Sequence, residues 1–178
     1  FEPPKPLAES RRKVLKDAIF DLKDSAKPAN SGTHARDDLA IANHEYLVTT
    51  FSSIFMSRNR VRSWDQPSFT IQAGGRHAPL HPQAPKMVKV GKDLQAFEPG
   101  FEDLYRRLTV REAARVQTFP DSFRFLYKNV IDGYKMIGNA VPVEFAKRLA
   151  EKIKHDLEGA TKHRGPLQAG KIKHFSEL

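Results

Sequence analysis

The sequence contains no cysteine among its 178 residues. Disulfide bonds, thiolate metal sites and a thiolate nucleophile supplied by this chain are therefore excluded. Long hydrophobic runs are also missing, since no apolar stretch approaches the roughly 20 residues that cross a bilayer, and no secretory signal is visible. Any chemistry in which the chain takes part must use other side chains.

Acidic residues are few relative to basic ones. Lysine and arginine number 30 against 21 aspartates and glutamates, which gives a formal net charge of +9. Such a balance favours a polyanionic partner, with nucleic acid first and a membrane surface second. Solubility alone is the simpler explanation, but the excess is larger than solubility needs. The length suffices for one domain with its own core, or for a small domain with pieces of another.

A short helix with a strong start and a hard stop is the clearest local prediction. Thr109 and Glu112 have the Thr-x-x-Glu spacing of a capping box, in which each side chain bonds the other residue's amide. Pro120 cannot continue a helix. We therefore predict a helix that ends before this proline, followed by an aromatic plug of Phe119 and Phe123.

Three arginines accompany that helix: Arg107 just before it, and Arg111 and Arg115 within it. Arg111 and Arg115 are four residues apart and share a face. Spacing alone leaves two interpretations open, a solvated charged face or a functional cluster.

A second arginine group alternates along the chain as Arg58, Arg60 and Arg62. In an extended segment alternate residues face one side, which predicts three guanidinium groups on one edge, with Asn59 and Val61 opposite. Arginine can donate two parallel hydrogen bonds to the O6 and N7 edge of guanine. The alternative is an edge strand that its charges keep soluble.

The bulky run Ile54-Phe55-Met56 comes immediately before these arginines. It is either part of the core or, at an exposed loop tip, the source of a side chain that wedges between base pairs. Our hypothesis gives the wedge role to Ile54.

Residues 68–72 alternate apolar and polar side chains and predict a strand. The strand runs into Gly74-Gly75, which allows close backbone approach to another surface. Arg76 follows directly and is therefore a candidate for a further base or phosphate contact.

Apolar periodicity predicts further elements, and composition predicts the end of the chain. They are a helix from Ser10 to about Lys23, a strand over 86–90 with a turn at Gly91-Lys92, a helix from Pro142 to about Leu157, and a basic, mobile tail over 158–178. The apolar stripe of the Pro142 helix needs a surface to lie against. In the tail, loss of Lys171 or Lys173 should matter little.

Histidine is the remaining metal-ligating residue type of note. His44 lies in a polar cluster over 43–46, and His77 and His81 stand far from it in sequence. No tight spacing of His, Asp and Glu supports metal ligation. No metal site is predicted.

Two long motifs carry a family resemblance. The pattern over 106–123, Arg-x-Leu-Thr-x-Arg-Glu-x-Ala-Arg-x-Gln-x-Phe-Pro-Asp-x-Phe, resembles the ninth conserved motif of the DNA cytosine-5 methyltransferases, and Gly-Tyr-Lys-Met-Ile-Gly-Asn-Ala-Val-Pro over 133–142 resembles the tenth. Both occur in the family's order, at the C-terminal end of a complete enzyme. The start at Phe1 likewise suits an excised or processed piece.

The resemblance implies an α+β fold in two parts. One is a small, mixed, largely irregular and β target-recognition domain over 25–130, with the ninth motif at 105–123. The second part would consist of two segments of a doubly wound α/β methyltransferase domain. They are a connection and helix over 1–24, and the tenth motif with its helix over 131–157.

The same resemblance implies roles for the motif residues. The ninth motif braces the recognition domain, through its polar positions Arg107, Arg111, Glu112 and Arg115. In the tenth motif, Asn139 matches the position whose amide lies near the methionine part of S-adenosylmethionine, with Ala140 and Val141 beside it.

The segment between these parts is similar to bacterial restriction–modification methyltransferases that recognise GGCC. That likeness rests on Met-Ser-Arg-Asn-Arg-Val, Phe-Thr-Ile-Gln-Ala-Gly-Gly-Arg and Leu-His-Pro-Gln-Ala-Pro-Lys-Met. It places Arg58, Arg60 and Arg76 in contact with the bases of double-stranded DNA, which fits a site with four guanines per duplex.

Family members flip cytosine out of the duplex, add a cysteine to carbon six and transfer a methyl group from S-adenosylmethionine to carbon five. The nucleophile, the catalytic glutamate and the cofactor's glycine loop are absent here. The sequence therefore predicts a DNA-recognition part that is inactive alone, has no catalytic residue of its own and works with a catalytic half. Its predicted place is the bacterial cytoplasm, on DNA. The alternative is a stand-alone sequence-specific DNA-binding module, against which the apolar stripe over 143–153 argues.

Overall fold

The computed structural model describes residues 2–163, with the backbone alone for 160–163. Contacts divide them into two units: residues 7–143 form one, and residues 2–6 with 144–163 form the other. The boundaries predicted at residues 24 and 130 both fall inside the larger unit. The assignment of 1–24 and 131–157 to a second domain stays a prediction.

Regular elements are short, and irregular segments connect them. The helices are α1 (Leu15–Ile19), α2 (Val110–Val116), α3 (Val130–Asn139) and α4 (Val143–His163), and the strands are β1 (Lys27–Pro28), β2 (Glu45–Tyr46), β3 (Val88–Gly91) and β4 (Leu94–Ala96). Single 3₁₀ turns cover Glu9–Arg11, Phe20–Leu22, Phe55–Ser57, Gly75–His77 and Glu102–Leu104. Strands β1 and β2 pair in parallel. Strand β3 overlaps the strand predicted over 86–90, and it forms an antiparallel hairpin with β4, a strand that the sequence analysis did not predict. This content is consistent with the predicted α+β class.

The predicted helix from Ser10 to Lys23 is wrong as a single element. Val14 is extended, with φ −106 and ψ 172, and the amide of Leu15 donates to the carbonyl of Gln66 at 3.0 Å. A tertiary hydrogen bond therefore replaces the intrahelical one, and two 3₁₀ turns flank the five-residue α1. The predicted apolar stripe is nevertheless buried at Leu15, Ile19 and Leu22.

The predicted strand over 68–72 does not form. Helix α3 packs onto this segment instead, because Gly138 brings the two backbones together. A Cβ at Gly138 would lie 2.3 Å from the amide nitrogen of Ala73 and 2.4 Å from the carbonyl oxygen of Gln72. The segment before Arg76 is thus placed by helix packing and not by a strand ladder.

Two hydrophobic clusters form the interior of the larger unit. The first joins α1, α2 and α3, and its centre includes Val110, Tyr134 and Ile137. The Tyr134 hydroxyl donates to the carbonyl of Leu108, which ties α3 to the start of α2. The second cluster lies under the segment that carries the alternating arginines, and it comprises Phe55, Val61, Leu80, Ala84, Met87 and Tyr105.

The capping box of α2 is confirmed. The amide of Glu112 donates to the Thr109 hydroxyl at 3.0 Å, and the amide of Thr109 donates to the Glu112 carboxylate at 2.8 Å. The helix ends at Val116, before Pro120, as predicted. The aromatic plug has a third member: Phe125 is 7% exposed, whereas Phe123 is 48% exposed.

A fully buried carboxylate organises the start of α2. Glu112 accepts two hydrogen bonds from the Arg106 guanidinium, both at 2.8 Å, and its oxygen lies 3.5 Å from Nε2 of His81. Burial acts to raise the pKa of Glu112, but the hydrogen bonds and charge of Arg106 outweigh it and hold this pKa below the usual range. Burial lowers the pKa of His81 to about 4. At neutral pH the folded chain therefore places a charged Glu112 beside a neutral His81.

His44 completes this polar interior. One ring nitrogen lies 2.9 Å from the Thr109 hydroxyl and the other 3.0 Å from the carbonyl of Leu22. Burial lowers the pKa of His44 as well. Within residues 2–163 no three His, Cys, Asp or Glu side chains come together as a metal site.

Helix α4 extends beyond its predicted end. It continues to His163, so the predicted tail is helical over 158–163, and the rest of that tail, with Lys171 and Lys173, lies outside the described residues. Its apolar stripe is open to solvent, with Phe145, Ile153 and Leu157 exposed. None of the helices in the described part of the chain combines the length and the apolar character needed to cross a membrane.

We predict that stability falls as pH drops from 7.5 to 5.5. The folded-state pKa of His81, about 4, is below the unfolded value of 6.5, so its contribution is complete above pH 6.5 and is lost as pH falls towards 4. At pH 5.5 this loss is about 1.4 kcal/mol from His81, and His44 acts in the same direction. Urea unfolding at the two pH values measures it. His81→Asn should flatten the dependence, and an unchanged slope in that variant would contradict the assignment.

We predict that Gly138→Ala lowers the free energy of unfolding by about 2 kcal/mol or more, because the added methyl group meets main-chain atoms that cannot move aside. Gly74→Ala is the matched control, since its Cβ would meet nothing within 4 Å. Thermal unfolding of both variants checks this, and equal stability of the two would show that α3 does not pack on the 72–73 segment.

Candidate nucleic-acid interface

A groove of about 210 Å³ lies at the predicted DNA-contacting segment. Three parts of the larger unit form it: residues 58–62, here called the arginine segment, residues 69–72 beneath α3, and the 3₁₀ turn at Gly75–His77. The lining residues are Arg58, Asn59, Arg60, Phe69, Thr70, Gln72, His77 and Pro79. Stretches that are distant in sequence therefore meet where the sequence predicted base contacts.

Arg58 lines this groove, whereas Arg76 does not line it but precedes His77, a lining residue, in the Gly75–His77 turn. Both are exposed, and neither has a carboxylate within 4 Å in the described part of the chain. Arg76 extends from a turn that is tightly supported, because a Cβ at Gly75 would lie 2.6 Å from the ring of Tyr134. Two cationic groups on fixed backbone are thus available to an anionic ligand.

Arg60 corrects the prediction of three guanidinium groups on one open edge. It is 8% exposed, and its guanidinium turns back to donate to the carbonyl of Phe55 at 2.9 Å and to that of Ile54 at 3.0 Å. The segment is not a regular strand, so alternate side chains need not share a side. Arg60 still lines the groove, but it is anchored to its own main chain.

Asn59 and Arg62 are also more structural than predicted. The Asn59 amide donates to the carbonyl of Val61 at 2.7 Å, and its oxygen accepts the amide of Met87 at 3.0 Å. Arg62 is half-buried and stacks on the ring of Phe69 at 4.3 Å. Both residues hold the arginine segment in shape.

Ile54 is exposed at a turn, as a side chain that inserts between base pairs would have to be. It is 70% exposed at the start of the Phe55–Ser57 turn, whereas Phe55 is fully buried. Of the bulky run, therefore, Ile54 is the side chain that points away from the core. Its role towards DNA stays a prediction.

Arg107 holds the loop that leads into this turn. It is 2% exposed and donates to the carbonyls of Leu47, Thr49 and Thr50 at 3.4, 3.0 and 3.3 Å. Its guanidinium lies 4.1 Å from the ring centre of Phe51. Burial lowers the pKa of Arg107. The interpretation of this arginine as part of a solvated face is wrong.

Arg111 acts in the same way on two other loops. It is fully buried and donates to the carbonyls of Ala42, Pro120 and Phe123 at 2.9, 3.2 and 2.8 Å. Burial lowers the pKa of Arg111 as well.

Arg115 pairs with two carboxylates and also donates to the carbonyl of Ala18 at 3.3 Å. It lies 2.7 Å from Asp121 and 2.6 Å from Asp21. The hydrogen bond with Asp121 is the main reason that the pKa of Arg115 is raised.

The tenth-motif residues lie at the end of α3. Asn139 and Val141 are exposed and Ala140 is half-buried, and Asn139 borders a surface depression with Leu126 and Met136. One exposed amide with apolar neighbours fits the edge of a cofactor site. Two charged residues, Asp132 and Lys135, also line this depression.

Sequence reasoning missed the partners of two buried carboxylates. Arg106 and His81 flank Glu112, and the Tyr127 hydroxyl donates to Glu45 at 2.6 Å beside an opening of about 540 Å³. Burial raises the pKa of Glu45, against the effect of the Tyr127 hydrogen bond. The only signal for Glu45 was its place in the polar cluster over 43–46, which is indeed largely buried.

Residues 2–155 match the family model of the C-5 cytosine-specific DNA methylases. Among curated proteins, the chain is similar to Type II methyltransferase M.MthTI of Methanothermobacter thermautotrophicus, with 59% identity over 159 residues. It is also similar to M.FnuDI of Fusobacterium nucleatum and M.NgoPII of Neisseria gonorrhoeae, both Type II methyltransferases and both 55% identical.

These alignments cover 89%, 88% and 84% of this chain but 48%, 46% and 44% of the three relatives. The chain thus spans about half the length of the curated relatives that it matches. The family match extends over most of the chain and includes both motifs, the groove and the Ile54 turn. The chain belongs to the C-5 cytosine-specific DNA methylase family.

Proposed function

We propose that this chain is the DNA-recognition part of a DNA (cytosine-5)-methyltransferase of a restriction–modification system, which positions a GGCC-like site for methyl transfer. The observation that carries the proposal is the groove at which Arg58 and the turn of Arg76 meet, in a member of this family. The net charge of +9 supports a polyanionic ligand.

In the proposed enzyme this chain binds double-stranded DNA, and the catalytic half carries out the reaction. Open guanidinium groups on Arg58 and Arg76 suit the O6 and N7 acceptors of guanine in the major groove. An apolar side chain such as Ile54 suits insertion between base pairs, which eases extrusion of the target cytosine. Arg60, Arg62 and Asn59 complete the proposed interface, mainly by shaping it.

The reaction itself is assigned to a catalytic half. The family's chemistry needs a cysteine thiolate that adds to carbon six of cytosine, and this chain has no cysteine. When bound, S-adenosylmethionine supplies the methyl group, and Asn139 of this chain would offer its amide to it, beside Ala140 and Val141. The exposed apolar stripe of α4 supports a docking surface for that half, and the whole would act on DNA in the bacterial cytoplasm.

We predict that Arg58→Ala or Arg76→Ala costs about 1–3 kcal/mol of binding to a GGCC duplex and relaxes the preference for it. Competition binding against a duplex with an altered site measures both quantities. Lys92→Ala is the matched control, since this exposed residue lies at the β3–β4 turn away from the groove lining. Equal weakening on both duplexes would reduce Arg58 or Arg76 to a phosphate contact.

We predict methyl transfer to GGCC-containing DNA when the chain is combined with the catalytic half, and none from the chain alone. Transfer of a labelled methyl group from S-adenosylmethionine measures this. Activity of the chain alone would overturn the division of labour. Tight, sequence-specific binding by a soluble monomer that gains nothing from a catalytic half would favour the stand-alone module.

A further inference from the structure

The guanidinium of Arg60 is committed to the backbone of the Ile54 turn. Its Nε donates to the carbonyl of Phe55 and its Nη2 to the carbonyl of Ile54, at 2.9 and 3.0 Å. A guanidinium is planar and donates in fixed directions, so two bonds to consecutive carbonyls fix the turn relative to Arg60. Lysine has the same charge but cannot make this forked contact.

The same guanidinium also borders the groove. Arg60 is among its lining residues, and its third nitrogen, Nη1, has no acceptor within residues 2–163. A buried cation that is hydrogen-bonded only through two of its three nitrogens is suited to accept one more ligand, such as a guanine edge. The Arg60 side chain thus binds the turn through two nitrogens and borders the groove at the same time.

The Phe55 ring holds the turn from beneath. The guanidinium groups of Arg60 and Arg107 lie 4.9 and 5.6 Å from its centre, and the ring is fully buried. Ile54 therefore projects from a turn that is held on two sides before any ligand arrives. Pre-organisation of this kind removes the entropic cost of ordering a loop on binding.

We propose that Arg60 is a positioning residue that couples insertion of Ile54 into the duplex to base contact in the groove. This inference rests on the proposed function and deepens it. Arg58 has no such bond to the turn, so its base contact should be independent of insertion. The two arginines are two residues apart, but only Arg60 is hydrogen-bonded to the turn. Substitution of Arg60, and not of Arg58, should therefore affect the insertion of Ile54.

A double-mutant cycle on the full chain tests the coupling. Discrimination, the ratio of affinities for GGCC and altered duplexes, is measured for Ile54→Ala, Arg60→Lys and the double variant. We expect each single change to lower discrimination about tenfold, and the double change to lower it little further, because both remove the same event. In the matched cycle with Arg58→Lys, the two losses should multiply to about a hundredfold.

Fluorescence of 2-aminopurine next to the site reports base unstacking directly. Arg60→Lys should lose the fluorescence rise that wild-type chain produces, whereas Arg58→Lys should keep it. Phe55→Leu, which removes the supporting ring without a change of charge, should also lose the rise, and it serves as the second variant if Arg60→Lys fails to fold.

The outcomes separate the two levels of the hypothesis. Multiplying losses for Ile54→Ala with Arg60→Lys, or an undiminished fluorescence rise in a folded Arg60→Lys chain, would overturn the coupling and leave the proposed function standing. Absence of any preference for GGCC in the wild-type chain, with or without its catalytic half, would overturn both.

Discussion

Buried guanidinium groups that donate to main-chain carbonyls are the interaction on which the rest of this structure depends. Arg107 and Arg111 each hold three carbonyls, and Arg60 holds two. The loops concerned have few strand partners of their own, so these arginines satisfy acceptors that a sheet ladder would otherwise satisfy. A buried carbonyl left without a donor costs about 1–3 kcal/mol, and each arginine prevents several such losses at once.

This arrangement separates a scaffold from the surface that we propose to contact DNA. Helix α2, capped by Thr109 and Glu112, and helix α3, with Gly138 against the 72–73 segment, form the scaffold. The irregular segments around Ile54, Arg58 and Arg76 form the surface, and their shape follows from contacts to the scaffold more than from their own propensities.

Features that depend on neighbouring residues could be predicted from the sequence, whereas tertiary hydrogen bonds could not. The capping box, the stop before Pro120 and the strand over 86–90 depend on neighbours in the chain; the first two are confirmed, and the strand forms as β3 over Val88–Gly91. The long first helix failed because the carbonyl of Gln66, some 50 residues away, takes the amide of Leu15. The prediction of three arginines on one open edge was wrong because the Arg60 side chain folds back onto its own turn, which residue spacing alone does not determine. His81 as a neighbour of Glu112 could likewise not be predicted, since it lies 31 positions earlier in the chain.

Hydrogen–deuterium exchange of Arg107→Lys tests the central claim most directly, because lysine keeps the charge and loses the forked contact to three carbonyls. The account predicts faster amide exchange over 47–57, with the β3–β4 hairpin unchanged from the wild-type chain. Wild-type exchange rates over 47–57, or an equal increase at the hairpin and the loop, would contradict the claim that this arginine holds the 47–57 loop in place.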